Sequence, residues 1–180
     1  MVQKKQKKQT RRPMAVAVFD TPEVQGEVIV TPCQKVGVDV VAIFHKLPPG
    51  EHGFHIHKAG DMRQKDCMGL CEHYDKGRHR HGGGPTSKRD RHTGDLGNIR
   101  LRGAGKTGTG KTGAGKGKTR KTKKVYCLRN VSVKDLWGRS IIVHRGKDDL
   151  GLGLHDDSHT TGHSGARMAC AIFGRGCKTD

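Results

Sequence analysis

The stretch GFHIH, residues 53–57, begins with a glycine and contains two histidines that are separated by a single residue. Successive side chains of a strand point to opposite faces, so His55 and His57 share one face if this stretch is a strand. Two imidazoles on one face provide about half of the ligands that a metal ion needs. The pair alone is a weak indication, because a histidine in a polar segment is usually only solvated.

Further candidate ligands follow along the chain. They are His73, His81, His92, Asp95 and His144. Three imidazoles and a carboxylate make a tetrahedral zinc shell, whereas four imidazoles suit Cu(II). Seven side chains could therefore fill eight ligand positions if one imidazole bridged two metals. The remaining loop histidines read as solvated side chains: His79, His155, His159 and His163.

Short apolar or alternating segments between glycine-rich turns predict the strands that must position these ligands. They are MAVAVFD, EVQGEVIVT, KVGVDVVAIF, GFHIH, VYCLRNVSV, GRSIIVHR and ARMACAIFG. Residues 60–98 and 146–166 are long polar segments without hydrophobic periodicity, and loops of that length are usually functional. Seven or eight strands with two such loops favour an antiparallel all-β sandwich or barrel. No helical pattern of useful length and no run of 18 apolar residues appears.

The net charge of +18 is concentrated in two segments. Residues 1–12 contain six Lys/Arg and residues 99–124 contain ten, with no acidic residue in either segment. The rest of the chain is nearly neutral. These segments could bind nucleic acid or another polyanion, since non-specific phosphate binding needs only clustered cations. The alternative is that both segments are solvated, a basic loop and a basic tail that bind no partner.

Residues 105–112, GKTGTGKT, fit the spacing of a phosphate-binding loop. Such a loop needs a buried strand before it and a helix after it. The flanking sequence predicts neither, and a match is easily found in a tract of glycine, lysine and threonine. We therefore do not predict nucleotide binding here.

The N-terminal stretch MVQKKQKKQTRRP is basic and lacks the apolar segment of a secretory signal. We therefore expect an intracellular, cytoplasmic protein. In that compartment the six cysteines would by default remain thiols or metal ligands.

Four longer motifs carry a resemblance to a known family. They are GFHIHKAGD, HGGGPTSKRDRHTGDLGNI, SIIVHRGKDDLGLG and TGHSGARMACAIFG. In order and content they resemble motifs of the copper/zinc superoxide dismutase family, over roughly residues 14–102 and 125–175. The resemblance implies an all-β, eight-stranded antiparallel Greek-key β-barrel or sandwich with two long functional loops. This domain would span residues 14–175, between a basic tail (1–13) and a short tail (176–180), and a basic Gly/Lys/Thr-rich loop (103–124) would interrupt it.

The resemblance also implies a metal-ligand set, with one copper and one zinc per subunit. The copper ligands implied are His55, His57, His73 and His144, and the zinc ligands are His73, His81, His92 and Asp95. His73 would then be the bridge. His81 is preferred to His79 because it precedes the glycine run and follows His73 by eight residues, as in the family.

Other residues match positions that surround the metals in this family. Asp148 matches a carboxylate that links a copper histidine to a zinc histidine, and His52 matches a structural histidine at a strand end. Arg167 matches an arginine beside copper that docks the substrate anion. Cys67 and Cys170 match a disulfide that family members keep even in the cytosol, and this overrides the default for that pair. The other four cysteines are expected to stay reduced.

The activity implied is conversion of two superoxide anions to dioxygen and hydrogen peroxide, with copper alternating between Cu(II) and Cu(I) and with zinc as a structural partner. His73 and Arg167 would be the catalytic residues, His73 through transfer of a proton. The alternative is a dismutase-like scaffold that binds metal or a polyanion, in a virion or on nucleic acid, through its basic segments. A homodimer is also implied, although Ala59 and Arg175 depart from the family at the dimer contact and leave its strength open.

Overall fold

The computed structural model describes residues 13–34, 36–101 and 121–177. Within these ranges the chain forms nine strands. They are β1 (Ala15–Asp20), β2 (Gln25–Pro32), β3 (Gly37–Lys46), β4 (His52–His57), β5 (Asp95–Ile99), β6 (Thr122–Arg129), β7 (Ser140–His144), β8 (Arg167–Ile172) and β9 (Gly174–Arg175). The short helical elements are a 3₁₀ segment (Lys65–Leu70), α1 (Val133–Leu136) and α2 (Ser158–Thr161).

The strands form two antiparallel sheets, which confirms the predicted all-β class and the Greek-key sandwich type. One sheet has the order β6-β3-β2-β1-β9 and the other β5-β4-β7-β8. No strand pairing between described residues closes the two sheets into a barrel. The ninth strand is a two-residue extension, β9, that pairs with β1 directly after β8.

The core lies between the sheets and follows the period of two that strands impose. In β3, Val38, Val40, Ala42 and Phe44 are buried and alternate with partly exposed residues. Phe44 packs edge-on against Phe54 of β4, with ring centroids 5.8 Å apart. These rings join the two sheets.

The central strands β4 and β7 are buried on both faces, which is unusual for an antiparallel sheet. Phe54 and Ile56 of β4 belong to the core cluster. By alternation, His55 and His57 lie on the opposite face, where the long loops cover them. The fold thus holds imidazoles on a rigid sheet in a site shielded from water.

Two local features differ from the sequence prediction. All of β5 except Ile99 lies inside the segment predicted to be one long loop, and β5 pairs with β4 across a register shift. Its alternation is hidden because Gly97 takes a φ of +74° and Asp95 is buried. β6 starts at Thr122, so the last three residues of the predicted basic loop belong to a strand. Lys123 and Lys124 fit there because β6 is a sheet edge, where lysines are commonly tolerated.

The end of β6 also differs from the predicted strand VYCLRNVSV. Asn130 takes a φ of +57° and ends the strand. Ser132 then caps α1 in a capping box with Asp135. In the described ranges, no helix is long and apolar enough to cross a membrane.

Candidate metal centre

Four buried histidines converge on the outer face of the four-stranded sheet. They are His55, His57, His73 and His144, and one ligand nitrogen from each lies within 4.8 Å of the others. Each of them has one ring nitrogen without a hydrogen-bond partner among the described residues. This nitrogen is Nδ1 in His55 and Nε2 in the other three histidines. Leaving a buried polar group unpaired costs roughly 1–3 kcal/mol. Four such nitrogens in one place fit a metal ion that binds their lone pairs, and we call this set the four-histidine group.

The second ring nitrogen of three of these histidines is held by a hydrogen bond. His57 Nδ1 donates to the carbonyl oxygen of Cys71 at 2.8 Å, and His144 Nδ1 donates to that of Gly165 at 3.1 Å. His55 Nε2 donates to Asp148 Oδ2 at 2.9 Å. These bonds place the proton on the outer nitrogen and leave the inner lone pair available, as metal ligation requires.

A second set, the Asp95 group, consists of His73, His81, His92 and Asp95. The Nδ1 atoms of the three histidines lie 2.8, 3.1 and 3.4 Å from Asp95 Oδ1, in that order. Ligands of a tetrahedral zinc ion are about 3.3 Å from one another. Asp95 is fixed through its other oxygen, which accepts hydrogen bonds from the backbone N–H groups of Gly82 and His92.

His73 belongs to both groups. Its Nδ1 faces Asp95, whereas its Nε2 is one of the unpartnered nitrogens of the four-histidine group. An imidazole offers one lone pair at each nitrogen only when it is fully deprotonated, and two metal ions would favour that state. The geometry is therefore that of a bridging ligand.

Asp148 also connects the two groups. Its Oδ2 accepts from His55 Nε2 at 2.9 Å, and its Oδ1 accepts from His81 Nε2 at 2.8 Å. The side chain is fully buried. Asn98 of β5 holds Asp148 in place, since its side-chain amide donates to the Asp148 carbonyl and accepts from the Asp148 N–H.

The electrostatics of the two groups differ. Burial lowers the pKa of His55 and His57 well below the usual value and lowers the pKa of His144 to about 4, so these imidazoles are neutral near pH 7. Burial opposes protonation of His81 as well, but hydrogen bonds to Asp148 and Asp95 raise its pKa to about 9. Burial opposes ionisation of Asp95, but hydrogen bonds from His73, His81 and His92 hold its pKa far below the usual value. The Asp95 group thus attracts positive charge, and a cation can replace the protons.

Arg167, the first residue of β8, lies beside the four-histidine group. Its guanidinium donates to the carbonyl oxygens of Cys67 and Cys71, both at 2.6 Å. The Cys71 carbonyl also accepts from His57, so one carbonyl connects the arginine to a candidate ligand. The arginine is only partly buried and its nearby charge lowers the pKa of His144. A fixed, partly exposed cation therefore lies beside the group.

The remaining sequence-predicted residues also lie near the site. Cys67 and Cys170 form a disulfide, as the resemblance implied, which joins the 3₁₀ segment to β8. His52 is buried, and its Nδ1 lies 3.0 Å from the carbonyl oxygen of His144, at the end of β7. His79 stays outside both groups and pairs with Asp75 at 2.9 Å.

Sequence reasoning missed several residues that shape the site. Gly162 is the clearest, because a Cβ there would lie 2.0 Å from Asp148 Oδ1 and 2.4 Å from His81 Nε2. Any side chain would therefore break the bond between these two residues. Asn98 and the Cys71 carbonyl were missed as well. Gly162 and Asn98 stand inside the quoted motifs TGHSGARMACAIFG and HGGGPTSKRDRHTGDLGNI, which is the only signal that could have marked them.

Asp148→Asn is expected to weaken copper and zinc binding together, each about 10- to 100-fold. An asparagine has one carbonyl oxygen, so it can accept from His55 or from His81 but not from both. Its NH₂ group would face the other imidazole N–H. Metal affinities measured by competition with chelators test this, with the exposed Asp156→Asn as the matched control. Loss of affinity for only one metal would contradict the linking role.

Comparisons with known proteins agree with this geometry. The family model "Copper/zinc superoxide dismutase (SODC)" matches residues 24–173. A superoxide dismutase [Cu-Zn] from Paramecium bursaria Chlorella virus 1 is 38% identical over 169 residues, which cover 92% of this chain and 80% of the relative. The copper chaperone for superoxide dismutase of Rattus norvegicus is 39% identical over 129 residues, covering 72% of this chain and 40% of that longer protein.

Among solved structures, the crystal structure of the clock protein EA4 superposes with a TM-score of 0.73 at 30% identity, covering 92% of this chain and 96% of the other. The fold thus also occurs in a protein described as a clock protein. The extent of the family match nevertheless establishes the class: the chain belongs to the copper/zinc superoxide dismutase family.

Proposed function

We propose that this protein is a superoxide dismutase that binds copper at the four-histidine group and zinc at the Asp95 group. The observation that supports it most is the set of four unpartnered, buried imidazole nitrogens with Arg167 beside them. The imidazole set suits copper, and the three imidazoles with one carboxylate suit zinc. Both metals and the activity are also typical of the family.

Bound copper would supply the one-electron oxidation of one superoxide and the reduction of a second. The peroxide product needs protons, and His73 Nε2 is positioned to hold and deliver one. His73 can do so without losing its place, because its Nδ1 stays directed at Asp95. The hydrogen bonds of His57 and His144 to backbone carbonyls would keep these rings fixed during turnover.

Arg167 would bind the substrate anion. Its contacts with the carbonyl oxygens of Cys67, Met68 and Cys71 fix the guanidinium. Among the described residues, no ion pair with a carboxylate compensates its charge. Superoxide is small and carries one negative charge, so a single cation beside the ligand set can dock it. Larger anions would be excluded by the covering loops.

Arg167→Ala is expected to lower kcat/KM for superoxide about 10-fold and to reduce its dependence on ionic strength, because steering by one cation is lost. Arg129→Ala is the matched control: it removes the same charge from an exposed site on β6. Pulse radiolysis at several salt concentrations measures both. Equal losses in the two variants would mean that only net charge matters.

The test of the proposed function is the rate of superoxide loss with protein loaded with both metals, with zinc alone and with no metal. We expect fast loss only when copper is present. Stoichiometric binding of both metals without turnover would reject the enzyme and favour the alternative, a dismutase-like scaffold. The similarity to a copper chaperone supports that alternative. The complete ligand set and Arg167 favour the enzyme.

Other expectations stay predictions. Polyanion binding rests on residues 1–12 and 99–124, of which 1–12 and 102–120 lie outside the described residues. A cytoplasmic location rests on the sequence alone. A homodimer is typical of the family, and at its expected contact Arg175 stacks on Trp137 at 4.3 Å, so a cation covers this edge.

A further inference from the structure

A separate cluster of potential ligands lies on the five-stranded sheet, remote from the metal centre. It consists of Cys33, Asp39 and Cys127, whose ligand atoms lie within 4.8 Å of one another. Asp39 and Cys127 occupy outward positions of β3 and β6, where they alternate with core residues such as Val38 and Leu128. The core separates this cluster from the four-histidine group, which lies on the outer face of the other sheet.

The sheet register explains how the three side chains meet. Asp39 is the direct cross-strand partner of Cys127. Cys33 follows β2, and its N–H donates to the carbonyl oxygen of Gly37 at 3.2 Å, which extends the β2–β3 hairpin by one residue. Gly37 has no side chain, so Cys33 can lean across β3 toward Cys127.

The same register disfavours a disulfide between the two cysteines. β3 lies between their backbones, and neighbouring strands are about 4.8 Å apart, so their Cα atoms are separated by at least roughly 9–10 Å. A disulfide needs Cα atoms within about 7 Å. A metal ion reaches further: two metal–sulfur bonds of about 2.3 Å at a tetrahedral angle hold sulfur atoms about 3.8 Å apart. The ligand atoms of all three side chains lie within 4.8 Å of one another, which is close enough for one ion to contact them together.

The charges of the cluster also favour a bound cation. Desolvation raises the pKa of the Cys127 thiol most, followed by the nearness of Cys33, a hydrogen bond with the Cys33 side chain and the nearness of Asp39. Arg129 is the nearby cation that opposes this effect. Two thiolates and a carboxylate would repel one another, and a bound divalent cation would remove that repulsion as it displaces the thiol protons.

We propose that Cys33, Asp39 and Cys127 bind a thiophilic divalent cation, zinc, as a third metal site. Two thiolates and one carboxylate oxygen are all ligand types that zinc accepts. The carboxylate argues against Cu(I), which prefers sulfur alone. Three protein ligands leave the fourth tetrahedral position open to water, because the cluster lies at the surface.

Cobalt(II) tests the proposal, since only thiolate ligation gives a sulfur-to-cobalt charge-transfer band in the near ultraviolet. Reduced full-length protein, already loaded with copper and zinc, would be titrated with Co(II) without oxygen. We expect one further equivalent to bind with this band and zinc to displace it. Cys33→Ser and Cys127→Ser are expected to abolish the band, and Asp39→Asn to weaken binding while keeping it. Cys71→Ser and Cys177→Ser, at the other exposed cysteines, should leave it unchanged.

Three results would overturn the proposal. The first is the absence of the band in the unaltered protein. The second is a band that persists in Cys33→Ser with unchanged affinity. The third is a Cys33–Cys127 disulfide in the air-exposed protein, seen by mass spectrometry as a cross-linked peptide. Circular dichroism of the serine variants separates loss of the site from loss of the fold.

Discussion

Replacing His144 with alanine is expected to lower the rate of superoxide dismutation by more than about 100-fold. Changing residues that only orient metal ligands commonly costs 10- to 100-fold in metal affinity or activity, so removal of a ligand itself should exceed that range. His144 supplies one of the four unpartnered nitrogens, and its ring is held by the Gly165 carbonyl. The three remaining imidazoles cannot restore the same ligand field, because each is fixed in place.

The Asp95 group offers an internal check on this variant, because His144 is not part of it. His144→Ala should still bind one zinc or cobalt ion there, with an unchanged d–d spectrum for cobalt. His155→Ala is the matched control, since His155 is exposed, lies outside both ligand groups and stacks its ring on that of His163. Activity within about tenfold of the unaltered protein in His144→Ala would refute the assignment of the four-histidine group as the redox site.

The sequence could predict the candidate ligands because histidine spacing on a strand is a local property. His55 and His57 share a face by alternation alone, and the family resemblance implied the other five side chains. Four of those five lie inside the quoted motifs, and His73 lies between the first two. The structure brings all seven together. The assignment of one metal to each group stays a prediction.

What the sequence could not provide were the contacts that orient these ligands. Two of the three orienting acceptors in the four-histidine group are backbone carbonyls, at Cys71 and Gly165. Every residue has a carbonyl, so its use depends on the path of a loop and not on residue type. β5 was missed for a related reason: its pairing with β4 is non-local, and Gly97 interrupts its pattern. The expected cytoplasmic location by itself also predicted reduced thiols at Cys67 and Cys170, which form a disulfide. Cellular location carries no information about which cysteines lie close together in the fold.

Loss of the Cys67–Cys170 disulfide is expected to lower the free energy of unfolding by about 4–5 kcal/mol, because the bond closes a long loop in the unfolded chain. The two cysteines are 103 residues apart in sequence. The 3₁₀ segment would also lose its anchor, and it contains strained backbone: Asp66 and Cys67 have φ values of +54° and +62°. Left-handed conformations cost non-glycine residues roughly 1–2 kcal/mol each.

Urea unfolding of the double variant Cys67→Ser/Cys170→Ser measures the effect. Cys71→Ser/Cys177→Ser is the matched control, since it makes the same two substitutions at cysteines that are exposed and outside the disulfide. A difference below about 1 kcal/mol between the two variants would show that the loop-closure account is wrong. Both proteins should be compared with their metals removed, because bound metal adds its own stabilisation.

The disulfide should also affect activity, through Arg167. The carbonyl of Cys67 accepts directly from the guanidinium, and that of Cys71 lies at the end of the same segment. Freeing this segment would leave the arginine unfixed, so the serine double variant should lose about as much kcat/KM as Arg167→Ala, roughly 10-fold. If both changes act through the same cation, combining them should add little, whereas independent effects would multiply. Multiplication to about 100-fold would show that the disulfide supports the site by another route, such as the His57 contact with Cys71.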